Sequence, residues 1–155
     1  MDAIAGLNHW LDQIALRLEP GQRRELMRRL AQGLRVRHRD RIKQQRDPDG
    51  YRFIPRKRNQ IGRIKRQGAL FQNIGKQLKT EYSSDHAAVG FGGRTAFVAR
   101  AHQEGENIKP SKFAKATQYP TRKLVGFSKD DENWIQSEIQ KFLLIWSSLD
   151  ANAEN

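Results

Sequence analysis

The amino-acid sequence predicts an α+β fold with an N-terminal helical pair, a central small antiparallel β-sheet (a hairpin plus a later strand) and a C-terminal amphipathic helix. Three observations predict it. Apolar residues recur at helical spacing near both ends, residues 78–82 and 86–91 have the character of two strands around a polar turn, and turn residues separate these stretches. With 155 residues, the chain is long enough for one hydrophobic core. We expect a single domain over residues 1–149 and a polar tail over residues 150–155.

The helical pair is predicted from two amphipathic stretches that Pro20 and Gly21 separate. In the first stretch, apolar residues have the spacing of one buried helical face, and they are Ile4, Leu7, Leu11, Ile14 and Leu18. Proline fits the first turn of a helix, so the second helix is expected to run from about Gln22 to Gln45. Its apolar seam is narrow and consists of Met27, Leu30, Leu34 and Ile42. We assign residues 1–58 to a basic helical part and residues 59–149 to an α+β part.

Positive charge is concentrated in residues 17–66, which hold 18 of the 29 lysines and arginines but only five of the 17 acidic residues. The net charge of this segment is therefore +13, and the rest of the chain sums to −1. Such an excess indicates a surface that meets an acidic partner, because net charge governs association rather than fold. The second helix has few acids for i,i+4 pairing, so we expect acidic groups elsewhere to neutralise part of it.

A tight turn over residues 46–50 is predicted to end the second helix, because proline presets φ there and Gly50 tolerates a positive φ. A second basic cluster follows between residues 56 and 66. A short helix is then expected around residues 69–77, although the glycines in this region oppose helix formation.

Residues 78–82 and 86–91 are predicted to form a β-hairpin around the polar turn between them. The glycine-rich residues 92–94 close that unit. A brief helix over residues 97–103 is expected to stop at Gly105, since glycine is the usual residue just past a helix end.

Residues 106–118 are polar and have little to bury, so they are predicted to form a mobile loop that becomes ordered only in an assembly. Three lysines in this loop are candidates for an assembly surface: Lys109, Lys112 and Lys115. Residues 122–127 return to an apolar, strand-like pattern, which is expected to supply the later strand of the sheet.

The C-terminal helix is predicted from its start signal and from its apolar stripe. Ser128 and Asp131 resemble a capping box, and Asp130, Asp131 and Glu132 place negative charge where a helix N-terminus favours it. The stripe consists of Ile135, Ile139, Phe142, Leu143 and Trp146.

Catalytic, cofactor and metal sites find little support in the sequence. The chain has no cysteine, which excludes disulfides, thiolate metal ligands and cysteine nucleophiles. The four histidines are scattered. We interpret His102, near Glu104 and Glu106, as a helix-end residue that hydrogen-bonds locally rather than as an acid-base or metal site. The Gly90–Arg94 stretch lacks the spacing of a phosphate-binding loop. We therefore predict no catalytic residue, no cofactor and no metal.

The basic segment offers a surface for DNA or for an acidic protein. Arginine binds phosphate in bidentate fashion, but the sequence contains no helix-turn-helix, zinc-finger or aromatic RNA-binding motif. Nucleic-acid contact would therefore be independent of base sequence, and a solvated helical face is the simpler interpretation. No apolar run approaches the ~18 residues that span a bilayer, so no membrane partner is expected. The candidate contact residues are Arg23, Arg24, Arg28, Arg35, Arg39, Arg56, Lys57, Arg58, Arg63, Lys65 and Arg66.

Three stretches stand in a particular order: QQRDPDGYRFIP at residues 44–55, AFVARAHQEG at residues 96–105 and PTRKLVGFS at residues 120–128. Through them, nearly the whole chain resembles the virion morphogenesis, or tail completion, proteins of contractile-tailed temperate phages. In that family a PDG turn follows a basic helix, an HQ pair follows a hairpin, and a segment containing proline and arginine leads into the last helix. The resemblance implies structural roles for Asp47, Pro48, Gly50, His102, Gln103, Gly105, Arg122 and Gly126.

The resemblance implies a structural protein rather than an enzyme, which completes the head-proximal end of a tail and supports head–tail joining. The implied partners are tail-tube or terminator subunits and neck proteins, within a homo-oligomeric ring that could also contact packaged DNA. The implied location is the tail and neck of the virion, with assembly in the host cytoplasm. The alternative is a nucleic-acid-binding protein without sequence specificity, which would use the Arg-rich helix.

Overall fold

The fold is taken from a computed structural model, which describes residue 9 and residues 18–56, 70–109 and 111–153. The first predicted helix lies almost entirely outside the described residues. So do the basic positions Lys57, Arg58, Arg63, Lys65 and Arg66. In the described part of the chain, helices and short antiparallel strands confirm the predicted α+β class.

Helix α1 spans Pro20–Lys43 and confirms the predicted basic helix, including proline in its first turn. The side-chain Oε1 of Gln22 accepts a hydrogen bond from the backbone N–H of Glu19 at 3.0 Å, which caps the helix start. The buried side of α1 carries Leu26, Leu30, Ala31, Leu34, His38 and Ile42. The predicted seam is thus largely confirmed, but Leu26 is its first fully buried member, and Met27 is only partly buried at its edge.

Strands β1 (Lys79–Tyr82) and β2 (Ala87–Gly90) form the predicted hairpin, with Lys79 opposite Gly90 and Tyr82 opposite Ala87. The backbone N–H of Ser83 donates to the carbonyl of His86 at 2.9 Å across the turn. The short helix expected before the hairpin is reduced to a single 3₁₀ turn at Ile74–Gln77.

Helix α2 spans Gly93–Glu104, so it begins four residues earlier than predicted. The glycines that were expected only to close the hairpin also start the helix, because the N–H of Ala96 donates to the carbonyl of Gly92 at 3.2 Å. The predicted stop is confirmed, since Gly105 has a φ of 68° in the left-handed region.

The segment predicted to be a loop over residues 106–118 contains two short strands. They are β3 (Asn107–Ile108) and β4 (Thr117–Gln118), which pair antiparallel. The prediction of irregular structure is therefore wrong at both ends of the segment. The polar sequence did not reveal this pairing because two residue pairs are too few to produce an alternating apolar pattern.

The strand predicted over residues 122–127 does not form, and residues 119–128 have no regular secondary structure. Side chains replace a neighbouring strand as hydrogen-bond partners for this backbone. The Oε1 of Gln103 accepts from the N–H groups of Leu124 (2.8 Å) and Val125 (3.2 Å), and its Nε2 donates to the carbonyl of Val125 at 3.0 Å. These bonds satisfy buried polar groups without a sheet.

Helix α3 spans Lys129–Ala153, and its capping box is confirmed. The N–H of Asp131 donates to Ser128 Oγ, and the N–H of Ser128 donates to Asp131 Oδ2, both at 3.0 Å. The stripe of α3 packs as predicted, with Ile135, Ile139 and Phe142 buried. The helix continues to Ala153, past residue 150, where the tail was expected to begin.

The core consists of two apolar clusters. The first joins α1 to α3 and includes Leu26, Leu30, Ile139 and Phe142. The second gathers the C-terminal end of α1 with later segments and consists of Ile42, Phe53, Leu78, Ala99 and Leu124. Val89 of β2 packs against both clusters, so the hairpin links them. None of the helices in the described ranges has the length and apolarity that crossing a bilayer requires.

Candidate functional site

The residues of the three sequence motifs come together in space. We call Pro48, His102, Gln103, Arg122 and Gly126 the motif cluster. Arg122 is only 5% exposed, and its guanidinium spans two motifs. Its Nε donates to the carbonyl of Ile54 at 2.7 Å and its Nη2 to that of Pro55 at 3.2 Å. Arg122 thereby ties the chain after the PDG turn to the segment that leads into α3.

His102 completes this contact. Its Nδ1 lies 3.3 Å from Nη1 of Arg122, so it acts as the acceptor. Its ring stands edge-on to Phe71 and Tyr119, with centroids 4.8 and 4.6 Å away. Burial, helped by the charge of Arg122, lowers the pKa of His102 to about 4. His102 is therefore a neutral packing residue whose partners are distant in sequence, and the prediction of local hydrogen bonding is wrong.

The carboxylates near His102 in sequence do not join it. Glu104 is exposed, and Glu106 pairs with Arg100, where Nε and Oε1 are 3.3 Å apart. Over the described ranges, no group of three histidine, aspartate or glutamate side chains could hold a metal ion. The two carboxylates and His102 thus form no joint site here.

Gly126 connects the cluster to the PDG turn. Its φ is 146°, and a Cβ at this position would lie 2.9 Å from Cγ of Pro48. The N–H of Gly126 also faces Nε2 of the buried His38 at 3.4 Å, while Nδ1 of His38 contacts the carbonyl of Leu34 at 2.7 Å. The tautomer with a proton on Nδ1 satisfies both contacts. Burial lowers the pKa of His38, with a further contribution from Arg41.

Part of the arginine-rich helix is neutralised from α3, as the charge pattern predicts. Asp131 Oδ1 accepts from Nε of Arg37 at 2.7 Å, and Oδ2 accepts from Nη1 of Arg41 at 2.9 Å. Burial alone would raise the pKa of Asp131, but hydrogen bonds from Ser128 and Arg37 and the charge of Arg41 lower it. The sequence identified Asp131 only as a capping residue, because a pairing across 90 or more positions leaves no local pattern.

A polar cleft of about 380 Å³ lies between the turn at residues 46–50 and the start of α3. Its lining mixes the basic Arg37, Arg41 and Arg46 with the acidic Asp40, Asp47 and Asp130. Because its lining carries charges of both signs, the cleft is a poor site for any strongly charged ligand.

Four of the predicted surface arginines form a basic stripe on α1, which we define as Arg24, Arg28, Arg35 and Arg39. Their spacings of 4, 7 and 4 place them on one helical face. The guanidinium of Arg24 lies 5.0 Å from the ring centroid of Tyr82. Arg28 binds Glu25 through Nε at 2.8 Å. Hydrogen bonds from Arg28 and Arg29 lower the pKa of Glu25 to about 2.

The other predicted basic residues in the described ranges are not members of the stripe. Arg23 turns toward the hairpin, where its Nη1 is 3.7 Å from Oδ1 of Asp85. Arg56 is half-buried. Lys109, Lys112 and Lys115 are exposed on the segment between β3 and β4. The candidate surface therefore divides into a helical stripe and a separate lysine-bearing segment.

A comparison with protein families gives the class of protein to which this chain belongs. Residues 2–144 match the model of the phage virion morphogenesis family, so the chain belongs to that family. Its role is a structural one in phage tail assembly.

A named relative makes the comparison more specific. The chain is 33% identical over 127 residues to "Tail completion protein S" of Escherichia phage P2, covering 79% of this chain and 85% of that protein. No solved structure matches the chain.

Proposed function

We propose that the chain completes the head-proximal end of a phage tail and supports the joining of tail to head, as a neck component without catalytic activity. The observation that carries this proposal is the similarity to a tail completion protein over 79% of the chain. The contacts of His102, Gln103 and Arg122 support it, because these motif residues bond within the fold, whereas the motif residues of the turn line only a cleft of mixed charge.

The burial of His102 and Arg122 supports a scaffolding role for the motif cluster. His102 and Arg122 are at most 9% exposed, so neither can contact a partner directly. Their contacts hold residues 54–55, α2 and the segment that leads into α3 in one arrangement. We assign partner contacts to the basic stripe, in which Arg24 and Arg35 are exposed, and to the exposed lysines between β3 and β4.

We also propose that copies of the chain assemble into a ring. A closed ring requires heterologous contacts, in which one face of a subunit meets a different face of the next. The basic stripe suits either an acidic face of a neighbouring subunit or DNA in a channel. The proposed neighbours are tail-tube or terminator subunits and neck proteins, and the proposed location is the neck of the virion after assembly in the host cytoplasm.

Electron microscopy of phage lysates tests the proposal. A phage with a premature stop in the reading frame should yield filled heads and separate tails, and supplying the chain from a plasmid should restore joined particles. Normally joined, infectious particles in the absence of the chain would contradict the proposal.

The basic stripe also supports a second function, binding to nucleic acid without sequence preference. The stripe extends over about 22 Å of helix, which is long enough to follow a phosphate backbone. If all four arginines met phosphates, the logarithm of affinity would fall with the logarithm of salt concentration with a slope of about −3.6. A salt titration with duplex DNA measures this, and absence of binding at low salt would exclude the second function.

A further inference from the structure

The segment between β3 and β4 carries an exposed aromatic residue. Phe113 is 93% exposed, the largest value among the large hydrophobic side chains in the described ranges. We call Lys109 and residues 111–116 the arm. Exposure of a whole phenylalanine side chain to water is unfavourable. Burial of this side chain against a partner would therefore stabilise a complex.

Hydrogen bonds order the base and the tip of the arm. At the base, the N–H of Tyr119 donates to the carbonyl of Glu106 at 3.1 Å, and Nε2 of Gln118 donates to the carbonyl of Gly105 at 2.6 Å. At the tip, the N–H of Ala114 donates to the carbonyl of Ser111 at 3.2 Å, which closes a turn around Phe113. A backbone held in place in this way loses little conformational freedom on binding.

Positive charge lies on both sides of the aromatic residue along the chain. Lys109, Lys112 and Lys115 flank Phe113, and residues 107–121 contain no acid. All three lysines are exposed. A central aromatic residue with charged groups around it matches the usual arrangement of an interface hot spot, where the aromatic fills a pocket and the rim stays polar.

We propose that the arm is a docking element whose Phe113 enters an apolar pocket rimmed by carboxylates on a tail protein other than this chain. The proposal rests on the proposed function, because it places the pocket on the unfinished end of the tail. A second copy fits the arm less well than an acidic partner does, because 29 basic against 17 acidic residues leave fewer carboxylates to rim a pocket, and a ring of copies can close through other faces. DNA is disfavoured because the arm presents lysines rather than the bidentate arginines of α1, and because a duplex has no apolar pocket for a phenylalanine.

Binding to unfinished tails tests the proposal. Tails purified from a lysate that lacks the chain serve as the probe, and sedimentation measures how much purified protein they bind. Phe113→Ala should weaken binding about 10- to 100-fold, whereas Phe113→Leu should stay within about threefold because it keeps an apolar group. Lys112→Glu combined with Lys115→Glu should weaken binding and reduce its dependence on salt. Phe127→Ala is the matched control, since Phe127 is 52% exposed outside the arm.

The outcomes separate this proposal from the proposed function. Wild-type protein that fails to bind the tails would contradict both. Wild-type protein that binds, with Phe113→Ala binding equally well, would overturn only the role of the arm. The role of the arm would also be overturned if Phe113→Ala lost self-association or DNA binding while its binding to tails stayed unchanged. Thermal unfolding of the variants should match wild type, because the ring of Phe113 is almost entirely exposed.

Discussion

Asp131 contributes to two structures at once. Its N–H and its carboxylate form the capping box with Ser128, and the same carboxylate binds Arg37 and Arg41 of α1. Arg41 in turn donates through Nη2 to the carbonyls of Leu124 and Gly126, both at 3.3 Å. Loss of the Asp131 charge would therefore affect the joint between α1, α3 and the segment between them.

We predict that Asp131→Asn lowers the free energy of unfolding by about 3 kcal/mol, because it leaves a largely buried arginine without its counter-charge. Urea unfolding followed by circular dichroism measures the change. Asp130→Asn is the control, as Asp130 is exposed on the same helical turn and should change stability by less than about 0.5 kcal/mol. Equal effects of the two substitutions would show that the ion pairs of Asp131 with Arg37 and Arg41 contribute nothing to stability.

The two buried histidines make the fold sensitive to mild acid. The pKa of His102 is about 4 in the folded chain, below its usual value of 6.5, and the pKa of His38 is also lowered. For a base with a lowered pKa, the unfolded chain binds the proton more readily. The stability that neutral His102 contributes is therefore complete above pH 6.5 and is lost as the pH falls toward 4.

We predict that His102 alone lowers the free energy of unfolding by about 3 kcal/mol as the pH falls from about 6.5 to about 4. Urea unfolding at a series of pH values measures this slope. His102→Asn removes the titrating group but can keep an acceptor for Arg122, so its slope over this window should be smaller. An unchanged slope in that variant would show that His102 titrates normally in the folded chain.

At the scale of elements, the packing of α1 against α3 depends on a close approach of an indole ring to a helix backbone. A Cβ at Gly33 would overlap the ring of Trp134. The guanidinium of Arg37, one turn further along α1, lies 5.5 Å from the centroid of the same ring. Trp134 thus occupies a space that exists because residue 33 lacks a side chain.

We predict that Gly33→Ala destabilises the protein by about 1–3 kcal/mol, because overpacking outweighs the gain of up to about 1 kcal/mol in helix propensity. Thermal unfolding compares it with Gly21→Ala. Gly21 lies in the first turn of the same helix, and a Cβ there would have nothing within 4 Å, so alanine should be neutral or slightly stabilising. A stabilised Gly33→Ala variant would contradict the close packing of Trp134 against α1.

The elements with strong local signals were predictable from sequence. Proline at the start of α1, the Ser128–Asp131 capping box and Gly105 after α2 act within a few residues, and all appear as predicted. The strand expected at residues 122–127 failed because its backbone is satisfied by Gln103, a residue more than 20 positions away. An apolar, strand-like pattern indicates that a segment is buried, but it does not show which groups form hydrogen bonds with the backbone of that segment.

The candidate site was predictable only in part, for the same reason. Composition located the basic stripe, because charge density needs no knowledge of contacts. It could not show that Arg37 and Arg41 point to Asp131 while Arg24 and Arg35 remain exposed. The motif residues were identified through the family resemblance. Their convergence on Arg122 emerged only from the three-dimensional arrangement.

At the scale of the whole molecule, the buried residues of the motif cluster are distinct from the exposed groups that we propose as contact surfaces. We predict that Arg24→Gln combined with Arg35→Gln leaves thermal unfolding nearly unchanged but reduces restoration of joined particles in a phage that lacks the chain. Both residues are exposed, so their removal costs little packing. Arg52→Gln, which changes an exposed arginine outside α1, is the control. If the double variant fully restored joined particles, the basic stripe would not be a contact surface.

The position of the chain in the virion tests the proposed function most directly. Cryo-electron microscopy of purified virions, with a small tag fused to this chain, can locate it along the particle. We predict tag density in a ring at the head-proximal end of the tail. Tag density at the distal end of the tail, or within the head shell, would contradict the proposed function.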